Sequence, residues 1–416
     1  MGKEVVIIGG GIVGLSSAYY LHKSGHQVTV IDKADIRSGA SFVNAGYITP
    51  SHIIPLASPG MIAKGLKWMF NSSSPFYMKP RWDTDFFKWS WNFHKSSTHK
   101  KVNLAIPVIK DINILSKTLY EELRTSEDLG SFQLAKKGLL MLYKTDKAGE
   151  KEMEVADKAK FLGLEVNSLN YKDLKELEPD VEIDAKGAIH YVCDAHTTPT
   201  EIMPKLLDYL KSVGVKIMTN QEVIKIKRSN HRIVSVSTKS NTYEADEVVM
   251  AAGSWSGNLA KLLDIPISLQ AGKGYAINVA KPTGIRLPAV LMEAKAAVTP
   301  MKEYTRFAGT MEFSGINNII RKERVAAIGR AARDYYPEIR IDSHDLSNAK
   351  SGLRPVSPDG LPYIGRTKKY DNFTFATGHA MMGWSLGPAT GKLVSEILNK
   401  ENLSMDIAPF SPDRRF

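Results

Sequence analysis

Val5-Val6-Ile7-Ile8-Gly9-Gly10-Gly11-Ile12-Val13-Gly14 opens the chain and governs how the rest of it is read. Four β-branched apolar residues in a row suit a strand buried on both faces, as in the middle of a parallel sheet. They run straight into Gly-x-Gly-x-x-Gly. Leu15, Ala18, Tyr19 and Leu21 then supply an apolar helical face, Gly25 ends the helix, and Val28-Thr29-Val30-Ile31 makes a second strand ending at Asp32. The stretch is a complete βαβ unit. Gly9 permits the tight turn, Gly11 lets the backbone approach a pyrophosphate, and Gly14 allows the helix to pack closely on the strand, while the helix N-terminus adds N–H donors and positive dipole. Asp32, eighteen residues after Gly14, is placed to accept hydrogen bonds from an adenosine ribose. A dinucleotide site follows, and these residues leave FAD and NAD both open.

Working outward, 416 residues predict two or three domains with room for a sizeable core. Hydrophobic residues are 43% and charged residues 24%, which excludes disordered and fibrous classes. The one cysteine, Cys193, cannot form an internal disulfide or a cysteine zinc site, so a reducing, cytoplasmic setting is expected. Lys and Arg number 55 against 44 Asp and Glu, a net +11 that favours anionic partners such as acidic lipid or a carboxylate substrate. No basic block or zinc-finger spacing accompanies that charge, so no nucleic-acid partner is expected. The charge-free run Val5–Leu21 is too short and too glycine-rich for a spanning helix, and Lys3 and Glu4 make a poor signal-peptide start, so Met1 is the expected start of the mature protein.

The remaining pattern predicts a mixed α/β (α+β) fold, with a Rossmann-like nucleotide domain interleaved with an antiparallel-sheet substrate domain. Residues 1–58, 195–262 and 352–416 are assigned to the first, and 59–194 and 263–351 to the second. Residues 199–214 read as a helix; Val215–Lys227, Arg232–Lys239 and Glu247–Ala252 read as strands, the last running into Gly253-Ser254-Trp255. Leu139–Tyr143, Gly274–Val279, Arg306–Phe313 and Arg324–Gly329 read as strands of the second sheet. Residues 61–94 gather Trp68, Trp82, Trp89 and Trp91 with Phe70, Phe76, Tyr77, Phe86, Phe87 and Phe93, interleaved with Lys64, Lys67, Lys79, Arg81 and Lys88. Such a segment suits either a helical cap packed on its own domain or an anionic membrane surface. Near the C-terminus, Ser351-Gly352-Leu353-Arg354-Pro355 is followed by a strand over Asn372–Ala376. Gly378-His379-Ala380-Met381-Met382-Gly383-Trp384-Ser385 then leads into a helix reaching about Leu398. That second glycine-rich strand-to-helix turn presents N–H groups suited to an electron-rich ligand edge.

Taken in this order, the N-terminal fingerprint, Ser41-Phe42-Val43-Asn44-Ala45-Gly46-Tyr47, Ala251–Ser256, Gly272-Lys273-Gly274-Tyr275 and the two C-terminal motifs resemble a known family. It is that of the FAD-dependent amine and amino-acid oxidoreductases typified by D-amino-acid oxidase, glycine oxidase and sarcosine oxidase. Within it, the chain looks most like the small subunit of the bacterial D-amino-acid dehydrogenases. The resemblance spans essentially the whole chain and implies FAD rather than NAD, a role in amino-acid catabolism, and a flavin lying between the two domains.

Carried over motif by motif, it implies that Gly9, Gly11 and Gly14 hold the pyrophosphate and Asp32 the ribose. Ser41, Asn44, Ala45 and Gly46 are expected beside the flavin, Val223 near the adenine, and Gly253 and Trp255 near the dinucleotide. Gly378, Gly383, Trp384 and Ser385 are expected to line the pyrimidine side of the ring. Arg354, in Gly-Leu-Arg-Pro, is expected to clamp the substrate carboxylate, with Arg306 the next candidate, and Tyr275 to offer its hydroxyl to the substrate. Lys273, His52 and His379 have both a site reading and an ordinary packed or solvated one. The cysteine that carries covalent FAD in sarcosine oxidases has no counterpart in the C-terminal region, so noncovalent FAD is expected. Oxidation of a D-amino acid or related imino acid to an imine, which hydrolyses to the 2-oxo acid, is the implied reaction. Its electrons would pass to a quinone or another electron-transfer acceptor, with residues 61–94 touching the inner face of a membrane. The rivals are a glycine- or sarcosine-type oxidase using oxygen, a D-hydroxyproline or proline dehydrogenase, and a noncatalytic FAD-binding subunit.

Overall fold

The computed structural model describes residues 2–60, 76–79 and 81–416. Two large sheets organise it. The first has six strands, in the order Lys216–Met218, Gln27–Ile31, Glu4–Ile8, Glu247–Met250, Phe373–Thr377 and Tyr363–Arg366, all parallel except the last. Because successive side chains alternate faces, Val5 and Ile7 pack with helices Ile12–Lys23, Pro199–Ser212 and Gly387–Asn399. Val6 and Ile8 pack instead with Ile226 and Val236 of a three-stranded antiparallel sheet (Lys225–Ser229, Arg232–Ser237, Thr242–Glu244). Both faces of the central strand are thereby dry, as its unbroken apolar sequence requires.

The second sheet is predominantly antiparallel and has nine strands. Its main path runs Lys350–Val356, Gln270–Val279, Thr305–Phe313, Ala296–Pro300, Ala289–Leu291, Leu139–Tyr143, Gly187–Tyr191 and Val166–Asn170; Phe76–Met78 joins Thr305–Phe313 from the side. The expected boundary at residue 352 falls within Lys350–Val356, which pairs along its length with Gln270–Val279. The long helix His99–Thr125, assigned by sequence to the substrate side, packs Tyr120 and Leu123 into the nucleotide-side core.

Arg324–Gly329 is not a strand. It lies within the helix Lys322–Tyr335, whose Val325, Ile328, Ala332 and Tyr335 recur at helical spacing against the second sheet. The continuous segment expected over Val215–Lys227 is two separate strands, one in each of two sheets. Within 61–94, Trp68, Phe70, Lys64 and Lys67 lie outside the described residues. The helix Thr84–Ser96 buries Phe86 and Trp89 against Met311 and Phe313, while Trp82, Phe87 and Trp91 are exposed by 98%, 51% and 61%.

Candidate active site

Between the two sheets runs one continuous cavity of about 770 Å³. Its nucleotide end is built by the first βαβ unit, where three glycines do three different things. A Cβ on Gly9, whose φ is +112°, would collide with the Ala251 carbonyl, and one on Gly14 with the Gly9 carbonyl, so both are demanded by the protein's own packing. A Cβ on Gly11 would meet only Ser41 Oγ at 3.2 Å, and Gly11 lines the cavity. The space beside it is a cradle that suits a closely approaching pyrophosphate. Ser41 Oγ accepts from Ile12 N at 3.0 Å and so caps the helix Ile12–Lys23 from a distant loop. Asp32 also lines the cavity; its carboxylate accepts from Gly10 N at 2.6 Å and Ala34 N at 2.8 Å, with lone pairs to spare for ribose hydroxyls.

Val223, Gly253 and Trp255 line the same end, and the Lys33 ammonium lies 3.7 Å from the centre of the Trp255 ring. Further in, Asn44 and Ala45 line the cavity; Gly46 does not, and its φ of +76° instead serves a close approach to Thr197, whose N–H bonds the Gly46 carbonyl at 2.8 Å. Gly383, Trp384 and Ser385 line the wall. Their three N–H groups have no hydrogen-bond partner among the described residues, which leaves a cluster of donors for a ligand's electron-rich edge. The Trp384 indole is spent on Thr197 Oγ1 at 2.8 Å and the Ser385 hydroxyl on Asn113 at 2.6 Å, so the wall acts through its backbone. Gly378, expected on this wall, does not line the cavity; at φ +82° it turns the chain closely against Tyr363.

Arg354 is the clamp candidate that reaches the cavity with donors to spare for an anion. Its side chain is half-buried and lines the cavity; Nη1 donates to the Thr310 carbonyl at 2.8 Å, and it has no carboxylate partner among the described residues. Desolvation alone lowers its pKa to about 10. A guanidinium presents five N–H donors, so most of the fork is free to meet a carboxylate. Room for it is made by Gly274, where any Cβ would overlap the guanidinium.

The partner carbonyl comes from an irregularity that the sequence does not announce. Lys273 pairs with Glu312 but Tyr275 with Gly309, so Thr310 and Met311 together oppose the single residue Gly274. Thr310 sits in this bulge at φ +64°, costly for a β-branched residue, and its buried hydroxyl has no hydrogen-bond partner among the described residues.

Tyr275 lines the cavity, but its hydroxyl is not turned to Arg354. In the register of the two strands Gly272 faces Arg354, and Tyr275, an odd number of residues on, points to the opposite face. There its hydroxyl donates to Glu312 at 2.6 Å, and burial and that carboxylate raise its pKa. Lys273 is on the same far face, bonded to the Ile319 carbonyl at 3.0 Å. Arg306 is committed elsewhere, to the carbonyls of Phe42 and Asn44. His379 bonds Thr390 at 2.9 Å, and burial holds it neutral with a pKa of about 3. His52 lines the cavity, neutral for the same reason with a pKa of about 4. Cys193 does not line the cavity, and burial raises its thiol pKa.

The cradle beside Gly11 and the unpartnered donors at Gly383–Ser385 fit a flavin dinucleotide. Residues 4–397 match the family described as FAD dependent oxidoreductase (DAO). The chain belongs to that family and is an oxidoreductase. Among individual proteins, it is 31% identical to a D-amino acid dehydrogenase of Helicobacter pylori over 410 residues, 98% of this chain and 96% of the relative. It is equally 31% identical to a D-amino acid dehydrogenase of Vibrio atlanticus, over 95% of this chain and 96% of that one. Among solved structures, glycine oxidase from Geobacillus kaustophilus superposes with a TM-score of 0.79 at 21% identity, covering 100% of this chain and 99% of that one. At that identity the likeness speaks for the fold.

Proposed function

We propose that the protein oxidises a D-amino acid, or a closely related imino acid, to its imine, which water then hydrolyses to the 2-oxo acid. The observation that carries this reading is Arg354, a half-buried cation without a counter-ion among the described residues, facing the cavity that suits the flavin. Bound FAD would accept the hydride from the substrate Cα at its N5. The protein's part is to hold the carboxylate on the Arg354 fork, which sets the orientation of Cα–H, and to keep bulk water out. The N–H groups of Gly383, Trp384 and Ser385 are donors that would stabilise negative charge on the bound group. No side-chain base is required if the amine binds neutral. Preference for the D-series is supported by the dehydrogenase relatives at 31% identity.

FAD is held without a covalent bond in this reading, since Cys193 stands away from the cavity. Heat or acid should release intact FAD into the supernatant. The experiment that tests the function is anaerobic bleaching of the flavin by a panel of D- and L-amino acids, glycine, sarcosine and both hydroxyproline epimers. Bleaching by D-amino acids supports the proposal. Bleaching only by glycine or sarcosine, or only by cyclic imino acids, moves it to a rival, and no bleaching by any amine indicates a noncatalytic subunit. Rapid reoxidation by oxygen would make it an oxidase.

A membrane-borne acceptor such as a quinone is the second part of the reading. It is supported by the exposed Trp82, Phe87 and Trp91 on and beside a helix otherwise anchored by Phe86 and Trp89. No helix among the described residues is long and apolar enough to cross a membrane, so contact would be peripheral. Flotation with anionic liposomes at low salt tests it, and failure to float returns this face to the role of a cap.

A further inference from the structure

The loop Ser41–Gly46 is held by its carbonyls from the side of the nine-stranded sheet. The Arg306 guanidinium, 2% exposed, donates through Nη1 to Phe42 O at 3.0 Å and to Asn44 O at 2.6 Å. Its Nε donates to Asn278 Oδ1 at 2.9 Å and its Nη2 to the Tyr304 hydroxyl at 3.0 Å. Thr299 Oγ1 donates to Ala45 O at 2.7 Å. Among the described residues Arg306 has no acidic partner, and desolvation lowers its pKa. A buried cation without a counter-ion is expensive, so what it holds needs to be worth holding.

A trans peptide points its C=O and its N–H in opposite directions. With the Asn44 carbonyl drawn to Arg306, the N–H of Ala45 is turned to the other side. That N–H has no hydrogen-bond partner among the described residues, and Ala45 lines the cavity.

We propose that Arg306 is a positioning residue that fixes the Asn44–Ala45 peptide so that the Ala45 N–H donates a hydrogen bond to an electron-rich atom of the flavin ring. The inference rests on reading Ser41–Gly46 as the flavin loop and deepens it. It assigns the aim of that loop to a side chain from the other sheet, distant in sequence. It also explains why Arg306, whose donors go to carbonyl, amide and hydroxyl oxygens and which does not line the cavity, is not the substrate clamp.

The test uses full-length protein stripped of FAD and titrated with FAD, with the visible bands of the bound flavin recorded at saturation. Arg306→Met should raise the FAD dissociation constant about ten- to a hundredfold, the scale of one charge-supported hydrogen bond, and shift the flavin bands. Arg306→Lys should fall between, because an ammonium keeps the charge and can meet a carbonyl but cannot also hold Asn278 and Tyr304 as Nε and Nη2 do. Thr299→Val, which frees only the neighbouring carbonyl, should raise the constant less. If Arg306→Met does not fold, Arg306→Lys and Thr299→Val decide. A dissociation constant within twofold of wild type in the folded variants overturns the proposal. So does weaker binding with unchanged flavin bands, since Arg306 would then steady the loop without aiming a donor. Gly11→Val separates the two levels: if it loses FAD while the Arg306 variants do not, the flavin reading stands and this inference falls. If Gly11→Val keeps full FAD, the flavin reading itself has failed.

Discussion

Arg354 and Tyr275 lie on neighbouring strands of the same sheet and point to opposite sides of it: the arginine into the cavity, the tyrosine to Glu312 at 2.6 Å. The two were expected together at the substrate. On its own face Glu312 is 1% exposed and also meets Arg321 at 3.2 Å and Arg324 at 3.5 Å, so Tyr275 belongs to a buried charge network. Tyr275→Phe should leave kcat/KM for an amino acid within about threefold of wild type. It should lower stability by about 1–3 kcal/mol, the usual range for a lost hydrogen bond to a charged group. A large loss of kcat/KM without loss of stability would return the hydroxyl to the substrate.

Arg354→Ala should act on the substrate and not on the fold. Removing one partner of a buried charge pair costs about 2–5 kcal/mol, so kcat/KM for an amino acid should fall roughly 30-fold to a few thousandfold with FAD still bound. Arg354→Lys should recover part of this, since the charge survives and the fork does not. An amine lacking the carboxylate is the control and should change far less. Loss of FAD, or unfolding, would make Arg354 structural.

Gly11→Val and Gly14→Val should fail in different ways. At Gly14 a Cβ overlaps the Gly9 carbonyl, so the variant should be unstable with or without FAD. At Gly11 the nearest atom to a new Cβ is Ser41 Oγ at 3.2 Å, so the protein should fold and melt near wild-type apoprotein yet retain no FAD. Stoichiometric flavin in purified Gly11→Val would refute the pyrophosphate cradle.

What was legible in advance follows the range of the forces involved. The βαβ unit could be read because strand, glycines, helix and acid lie within one short run and each is a local preference. Arg324–Gly329 reads as a strand, although it lies in the helix Lys322–Tyr335, because a short run of Val, Ala and Ile fits a strand as well as a helix. Only Ala332 and Tyr335, further along, restore the helical period. The face of Tyr275 depends on the register of a partner strand, which no single strand sequence encodes. Arg354 stands out through its motif, but its lack of a counter-ion among the described residues and the space provided by Gly274 are properties of the assembled sheet. The same holds for Arg306, whose carbonyl partners lie far away in the chain.

Thr310 offers a stability test of a site feature. Its left-handed backbone and its buried hydroxyl, unpaired among the described residues, each carry a cost, and the bulge they occupy turns the Thr310 carbonyl to Arg354. Thr310→Gly keeps that carbonyl and removes both costs, against about 1 kcal/mol of extra chain entropy. The variant should be more stable by about 1 kcal/mol in denaturant titration, with kcat/KM within about threefold of wild type. A clear destabilisation would show that the threonine side chain contributes packing that outweighs its strain.

Asp194 predicts how stability should vary with pH. Its side chain has no solvent exposure; it accepts from Ser51 N at 3.0 Å and Ser51 Oγ at 2.5 Å, while the nearby Lys117 ammonium bonds the Cys193 carbonyl instead. Desolvation outweighs those bonds and raises its pKa from 3.8 to about 7. In the unfolded chain the carboxyl ionises near pH 4, so the fold favours the protonated form. Its contribution is therefore complete below about pH 4, falls as pH rises toward 7, and is gone above that. Asp194→Asn stays neutral throughout, and its oxygen and amide can still meet the Ser51 N–H and hydroxyl. Relative to wild type, the variant should be near neutral in stability at pH 4.5 and progressively stabilising toward pH 8. Three pKa units at ~1.4 kcal/mol each put the ceiling at about 4 kcal/mol. Denaturant titrations of both FAD-loaded proteins at several pH values measure this difference, and parallel curves from pH 4.5 to 8 would show that Asp194 is ionised in the folded protein throughout that range.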